Sequence, residues 1–447
     1  MNIRILTAEE AVAGILKRRP LNEAMSAAGF EERNRELFGK TLTAEQAVAT
    51  IIDDVRKSGD DAVRHYARML DGQAPSALEV PRSEIDEAAA SLPSSLRDAL
   101  ETAAERIRSF HEKQSFESWT HWDEEGGTGQ IVRPLDRVGV YVPGGGAAYP
   151  SSLLMAVIPA RAAGVREVVV ATPPGRDGAV PPAVLAAASV SGADAVYRIG
   201  GPQAIAAMAH GTGTISRVDK IVGPGNVFVT LAKRQVYGIV DIDQLAGPTE
   251  TLLIADETAS AELAAADLLA QAEHDTMASA ILITPSSGLA LAVQNALDEQ
   301  LAELDRADII RSSLQHNGGI VLVSSLDEAV ELANAFAPEH LCLLVADPWT
   351  LVDSVRHAGG IFVGEHSSEA LGDYVTGPSH IMPTGGSARF HSPLSVRDFL
   401  KITSLFAVNE LAEKRLGPTA IRLAEAEGLS AHAMAIRRRR SSDRDGD

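Results

Sequence analysis

One cysteine, Cys342, stands in 447 residues, which excludes an intrachain disulfide framework and fits a reducing compartment. Aromatic residues supply only 4 % of the chain, against an apolar total of 45 % carried largely by alanine, glycine and valine. That balance suits an α/β protein of close-packed helices and buried parallel strands. No stretch approaches the ~20 apolar residues of a membrane-spanning helix. The opening "MNIRILTAEEAVAGILKRRP" lacks the ordered basic, apolar and small-residue regions of a signal peptide. A soluble, cytoplasmic protein without a membrane partner is therefore expected. Positive charge is short as well: the formal balance is −20, and phosphate backbones want a basic face, so no nucleic-acid partner is expected. The arginines of the final "RRRRSSDRDGD" (437–447) are read as a solvated, disordered tail.

The length exceeds one core at the usual ~100–200 residues per domain, so two lobes with smaller appendages are expected. Residues 1–35 read as a helical arm whose "TAEEAVAGIL" starts at a capping Thr7. Residues 43–118 read as amphipathic helices. At "RVGVYVPGGGAAYPSSLLMAVIPARAAGVREVVVATPP" the texture becomes strand, turn, helix, strand, a βαβ unit of a parallel sheet. A second alternating series, "TLLIAD", "AILIT", "GIVLV", "LCLLVA" and "GIFVG", follows "AGPTE". From about residue 391 the chain reads as helical again.

Several groups of residues could carry chemistry. The turns Gly144–Gly146, Gly200–Ala204 and Gly223–Asn226 end strands of the first series, where open α/β sheets gather ligands and helix N-termini hold phosphates. They could equally be plain tight turns, and the G-x-G-x-x-G dinucleotide fingerprint is absent. Tyr141, Gln203 and Asn226 offer polar contacts beside them. In "LLAQAEHD", Gln271 and His274 share a helix face, which meets solvent, a packed core or a metal ion. In "AFAPEHL", Pro338 stops a helix and leaves Glu339 and His340 at a loop–strand junction, a candidate proton-transfer pair. "GDYVTGPSH" offers Asp373 and His380 on a glycine-flanked loop, and "EAEGLSAHAMAI" places Glu427 and His432 on either side of a helix-breaking Gly428. Gln271, His274, Asp373 and His432 together make a nitrogen and oxygen donor set without thiolate, suited to zinc first and to manganese or cobalt as substitutes. No H-E-x-x-H is present, which argues against a metalloprotease. Cys342 sits within a buried-strand pattern, where a thiol is inert, so a covalent thiol intermediate is not expected.

These segments taken in order, "RVGVYVPGG", "GPQAIAAMAHGT", "DKIVGPGNVFVTLAKRQVYG", "AGPTE", "LLAQAEHD", "APEHL", "GDYVTGPSH" and "EGLSAH", resemble the histidinol dehydrogenase family over about residues 35–436. The resemblance implies two incomplete Rossmann-like lobes with parallel-rich sheets and small helical segments at both ends. Residues 36–137 and 248–390 would form the metal and catalytic lobe, 138–247 the NAD lobe, and 391–436 a segment crossing to the partner in a homodimer. It further implies zinc on Gln271, His274, Asp373 and His432, and acid–base work by Glu339 and His340. NAD would lie along Tyr141, Gln203 and Asn226. L-histidinol would lie among Thr249, Gln271, His274, His340, Asp373, Glu427 and His432, the last two serving the partner's site. Thr249 stands where the family more usually has serine, keeping the hydroxyl and adding a methyl. Three rivals remain: a relative oxidising another small alcohol such as a sulfonated diol, a metal-binding or inactive paralogue, and a metal hydrolase. Retained Glu427 and His432 speak against the first, retained Glu339 and His340 against the second, and the polar turns of the 138–247 lobe against the third.

Overall fold

Apolar side chains fill both faces of the buried strands, and in the computed structural model they sort onto the two sides of two parallel sheets. The structure describes residues 3–18, 30–72, 75–144 and 148–441. They fall into a first unit, Met1–Gln114 with Leu135–Phe399, and a second, Ser115–Pro134 with Leu400–Asp447. The chain starts with a short strand β1 (Ile5–Thr7); β2 (Trp119–Asp123) and β3 (Gly126–Pro134) belong to the second unit.

The first unit holds a five-stranded parallel sheet of β4 (Arg137–Tyr141), β5 (Glu167–Thr172), β6 (Ala195–Arg198), β7 (Lys220–Val222) and β8 (Asp241–Ile242), ordered β6-β5-β4-β7-β8. Val138, Val140, Val168 and Val170 point to one face, against helices Arg82–Ser91, Ser94–His111, Pro150–Ala162 and Pro182–Ser191. Tyr141, Val169, Ala171 and Ile221 point to the other, against helices Ala44–Ser58, Asp60–Asp71, Gly201–His210 and Val227–Val236. The period-two alternation of strand side chains produces this sorting. Helix Ala44–Ser58 shows the helical counterpart: Ala47, Val48, Ile51 and Val55 are buried on one stripe, and Thr43 with Gln46 closes a capping box. Residues 43–111 thus pack on this sheet. That corrects the expected grouping of 36–137 with 248–390: the stripes of these helices complete the core of β4–β8.

A six-stranded parallel sheet follows, ordered β1-β11-β10-β9-β12-β13, from β9 (Glu250–Ala255), β10 (Ser279–Thr284), β11 (Gly319–Leu322), β12 (His340–Leu344) and β13 (Gly360–Val363). Leu253, Leu282, Ile320 and Cys342 face helices Ala261–Ala272, Ser287–Leu301 and Ala307–Asn317, while Leu252, Ile281, Val321 and Leu341 face helix Leu326–Phe336. Each such side chain contributes about 1.5–3 kcal/mol on full burial. The N-terminal segment is not wholly helical, since Ile5–Thr7 pairs in parallel with Ile320–Leu322 and extends the sheet.

In the second unit β14 (Leu400–Val408) pairs antiparallel with β3, from Leu400 opposite Pro134 to Val408 opposite Gly126, and β2 takes the other side of β3. Residues 400–408 are therefore a strand where a helix was expected. Helices Glu410–Ala426 and Ser430–Ser441 follow, joined through Gly428 at φ +75°. The expected disordered tail from 437 is corrected in part. Arg437 pairs with Glu425 and the helix runs to Ser441, while 442–447 lie outside the described residues.

Candidate active site

Helix Leu326–Phe336, capped by Ser325, ends on Ala337, which lies at φ +54° in the left-handed region. Among the described residues it is the one non-glycine with a positive φ. The turn drops Glu339 and His340 at the start of β12, where they are 7 % and 3 % exposed. Glu339 Oε2 accepts the Thr249 hydroxyl at 2.6 Å and the Glu250 N–H at 3.1 Å. His340 Nδ1 donates to the Glu250 carbonyl at 3.0 Å, which leaves Nε2 without a hydrogen-bond partner and facing Asp373 Oδ1 at 3.8 Å. One strand residue, Glu250, therefore holds both members of the pair through its backbone.

Electrostatics follows from this packing. Burial pushes the Glu339 carboxyl up to about 7, with His340 and the Thr249 hydroxyl opposing the rise. Burial likewise raises Glu369 to about 7. Burial alone would depress His340, but the carboxylates of Glu369, Glu339 and Asp373 outweigh it and raise the imidazole well above its usual range. Asp373 is held low despite burial, by His340, His380 and His274. The buried Cys342 thiol is raised, as expected for an inert group.

Gln271 is fully buried in the last turn of helix Ala261–Ala272. Its neighbours orient the amide: nitrogen toward Glu369 Oε1 at 2.5 Å, oxygen toward the Glu250 N–H at 2.7 Å. His274 lies just beyond the helix end, its N–H donating to the Gln271 carbonyl at 3.3 Å, with an exposed side chain. Surrounding protein lowers its proton affinity, and the charge of Asp373 opposes that. Asp373 is not on a loop as expected but on the short helix Glu369–Tyr374, capped by Ser368; Gly372 is needed there because a Cβ would stand 2.5 Å from the Phe362 ring. His380 Nδ1 donates to the Asp373 carbonyl at 2.7 Å. The first unit thus brings Gln271, His274, Asp373, Thr249, Glu339 and His340 into one neighbourhood. Glu427 and His432 are exposed residues of the second unit. Among the described residues no three His, Cys, Asp or Glu side chains are placed to hold a cation unaided. His274, Asp373 and the Gln271 amide are nitrogen and oxygen donors of the kind borderline ions accept, and the amide is held by Glu369 and the Glu250 N–H.

A cavity of about 640 Å³ opens at the carboxyl ends of β4–β7. Tyr141, Gly144, Gln203 and Asn226 line it, with Ile51 and Phe228 among its apolar walls. The Tyr141 hydroxyl accepts the Gly201 N–H at 3.1 Å, and burial pushes it up to about 12. Gln203 is fully buried, yet neither amide atom has a partner, an arrangement that calls for a polar ligand. Asn226 caps helix Val227–Val236 through its side-chain oxygen. Gly223 (φ +112°) has no room for a Cβ, which would lie 2.1 Å from the Tyr141 carbonyl. The turn itself is clamped: buried Lys233 donates to the Gly223 carbonyl at 2.8 Å and pairs with Asp243, whose other oxygen accepts the Gly223 N–H at 2.7 Å. Of the expected turn Gly144–Gly146, Gly144 is described and 145–146 lie outside the described residues.

Sequence reasoning did not single out Glu369, Thr251, Glu250 or Arg18. Glu369 is 3 % exposed and accepts the Thr251 hydroxyl, and a buried acid one helical turn before Asp373 was a readable signal.

Two parallel sheets, a polar-lined cavity over one and a buried acid–base pair at the start of an inner strand of the other define an α/β enzyme. A sequence model of histidinol dehydrogenase matches residues 35–440. The chain is 53 % identical to histidinol dehydrogenase of Deinococcus radiodurans, over 91 % of this chain and 93 % of that one. It is 50 % identical to that of Moorella thermoacetica, over 91 % and 97 %. The crystal structure of histidinol dehydrogenase from Elizabethkingia anophelis superposes with a TM-score of 0.89 at 33 % identity, covering 99 % of this chain and 98 % of that one. The chain belongs to the histidinol dehydrogenase family.

Proposed function

We propose that the protein oxidises L-histidinol through L-histidinaldehyde to L-histidine, the last steps of histidine biosynthesis, with transfer of two hydrides to two NAD⁺. The observation that carries this reading is the buried Glu339–His340 pair, held by Glu250 and flanked by Gln271 and Asp373. His340 Nδ1 is committed to the Glu250 carbonyl and Nε2 is free of hydrogen bonds, so the neutral imidazole offers Nε2 as the proton acceptor. It takes the hydroxyl proton as the first hydride leaves for NAD⁺. Glu339, poised near neutrality, takes a proton from the water that adds to the bound aldehyde. His340, having returned its first proton to the aldehyde oxygen as the water added, takes a hydroxyl proton of the hydrate as the second hydride departs, giving the acid, which ionises to the carboxylate. Holding the aldehyde throughout prevents its loss to solvent.

Gln271, His274 and Asp373 would hold a zinc ion, with His432 of the partner subunit as the fourth protein ligand. That ion would supply charge to grip the imidazole and amine of the substrate and to relieve the carboxylate pressure on His340. Thr249 and Glu427 would add polar contacts to the substrate. Tyr141, Gln203 and Asn226 would receive the NAD in the cavity, with the unpartnered Gln203 amide as support. A homodimer is proposed in which Glu427 and His432 complete the partner's site. The exposed Ile402, Phe406 and Val408 on one face of β14 support an apolar contact surface. No helix among the described residues is long and apolar enough to cross a membrane, and a cytoplasmic location is proposed.

The test counts NADH formed per histidinol consumed, with zinc and after chelation. Two equivalents, lost on chelation, are expected. One equivalent indicates a simple alcohol dehydrogenase, and none rejects the substrate.

A further inference from the structure

Arg18 lies outside the residues matched by the family model, which begin at 35. Its side chain is 26 % exposed and reaches behind the acid–base pair. Nε donates to the Phe336 carbonyl at 2.7 Å, and Nη2 donates to the Ala337 carbonyl at 3.1 Å. The same guanidinium forks onto Glu250: Nη2 meets Oε2 at 2.8 Å and Nη1 pairs with Oε1. Its central carbon stacks 3.6 Å from the centroid of the Phe336 ring. The rest of Glu250 is engaged too, its Oε1 accepting the Gly385 N–H at 3.1 Å.

The two carbonyls are the last of helix Leu326–Phe336 and that of its cap, Ala337, whose left-handed conformation an L-residue adopts unwillingly. Glu250 is the residue whose N–H and carbonyl hold Glu339 and His340. One planar fork therefore spans both supports of the pair: the strained turn that delivers it and the strand residue that fastens it. Lysine, a single point donor, cannot span them.

We infer that Arg18 is a positioning residue that locks the left-handed turn at Ala337 to Glu250 and thereby sets the geometry of Glu339 and His340. The inference rests on the acid–base reading above. Arg18 touches no reacting group, so its loss should act on turnover rather than on ligand binding.

The full-length enzyme is compared with R18M, R18K and R18A, and with R18M/A337G, in which glycine makes the left-handed turn easy. R18M should lower kcat by about 10–100-fold, the scale of a small misplacement of catalytic groups, with KM for histidinol and NAD and the zinc content little changed. A337G should return much of the lost kcat in the R18M background, and added guanidinium should do so for R18A, whereas R18K should remain impaired. A purely structural anchor would be rescued by neither. The inference is overturned if R18M keeps kcat within about twofold, or if neither A337G nor guanidinium moves kcat in folded Arg18 variants. Should R18M and R18A fail to fold by circular dichroism, R18K against R18K/A337G decides by the same criterion. H340N and E339Q are assayed alongside. If both retain turnover, the acid–base reading fails; if they lose it while R18M does not, only the role of Arg18 fails.

Discussion

Replacing Glu339 by glutamine preserves its shape and removes its charge. Glu339 Oε2 accepts bonds from Thr249 and Glu250, and an amide oxygen can accept both, so these two donors keep their acceptor and the roughly 1–3 kcal/mol penalty for stranding one of them is avoided. The loss should fall on chemistry. Deleting a general base costs about 10²–10⁴ in rate, or about 3–5 kcal/mol of barrier. If Glu339 activates only the water, this loss belongs to aldehyde oxidation, and alcohol oxidation should fall far less. The assay follows NADH absorbance with histidinol and with histidinaldehyde as separate substrates. Stability carries a second signature. Burial raises the Glu339 pKa from 4.5 to about 7, so the folded state binds more protons than the unfolded one across that window. Wild-type stability therefore falls as pH rises through it. Glutamine cannot ionise, and Glu369 and Asp373 remain beside His340, so E339Q should gain stability relative to wild type from about pH 5 to 8 in urea melts of chelated protein. Equal losses in both half-reactions, or a stability difference independent of pH, would refute the division of labour and the titration respectively.

His274→Asn should empty the metal site, and mass spectrometry showing unchanged metal content would reject His274 as a ligand. Gln203→Leu should remove the unpartnered buried amide from the cofactor cavity; a raised KM for NAD with a folded protein is expected, and an unchanged one rejects the cavity as the NAD site. Lys233→Met strands the buried Asp243 and should destabilise the protein by about 3–5 kcal/mol in urea melts, with a loss below about 1 kcal/mol counting against the clamp.

The strand series was legible because burial on both faces leaves short continuous apolar runs such as "EVVVAT" and "LCLLVA". Glu339 and His340 were legible because Pro338 marks a helix stop. What stayed hidden was mostly long-range. Helices 44–111 carry amphipathic stripes that fit either sheet, and only packing decides between them. Asp373 sits on a helix because Gly372 tucks under Phe362, a contact that sequence spacing does not encode. Arg18 meets Glu250 across 232 residues, and nothing in an N-terminal "KRRP" announces that encounter.

The pairing of β3 with β14 carries a consequence for biogenesis. Pro134 waits for Leu400 to leave the ribosome, so β3 has an open edge through most of synthesis. Such an edge is an aggregation hazard and a natural chaperone client, and distant strand closure is slow. Two of the three tryptophans, Trp119 and Trp122, ride on β2 along the opposite side of β3, so indole fluorescence reports on the hairpin whose free edge waits for β14.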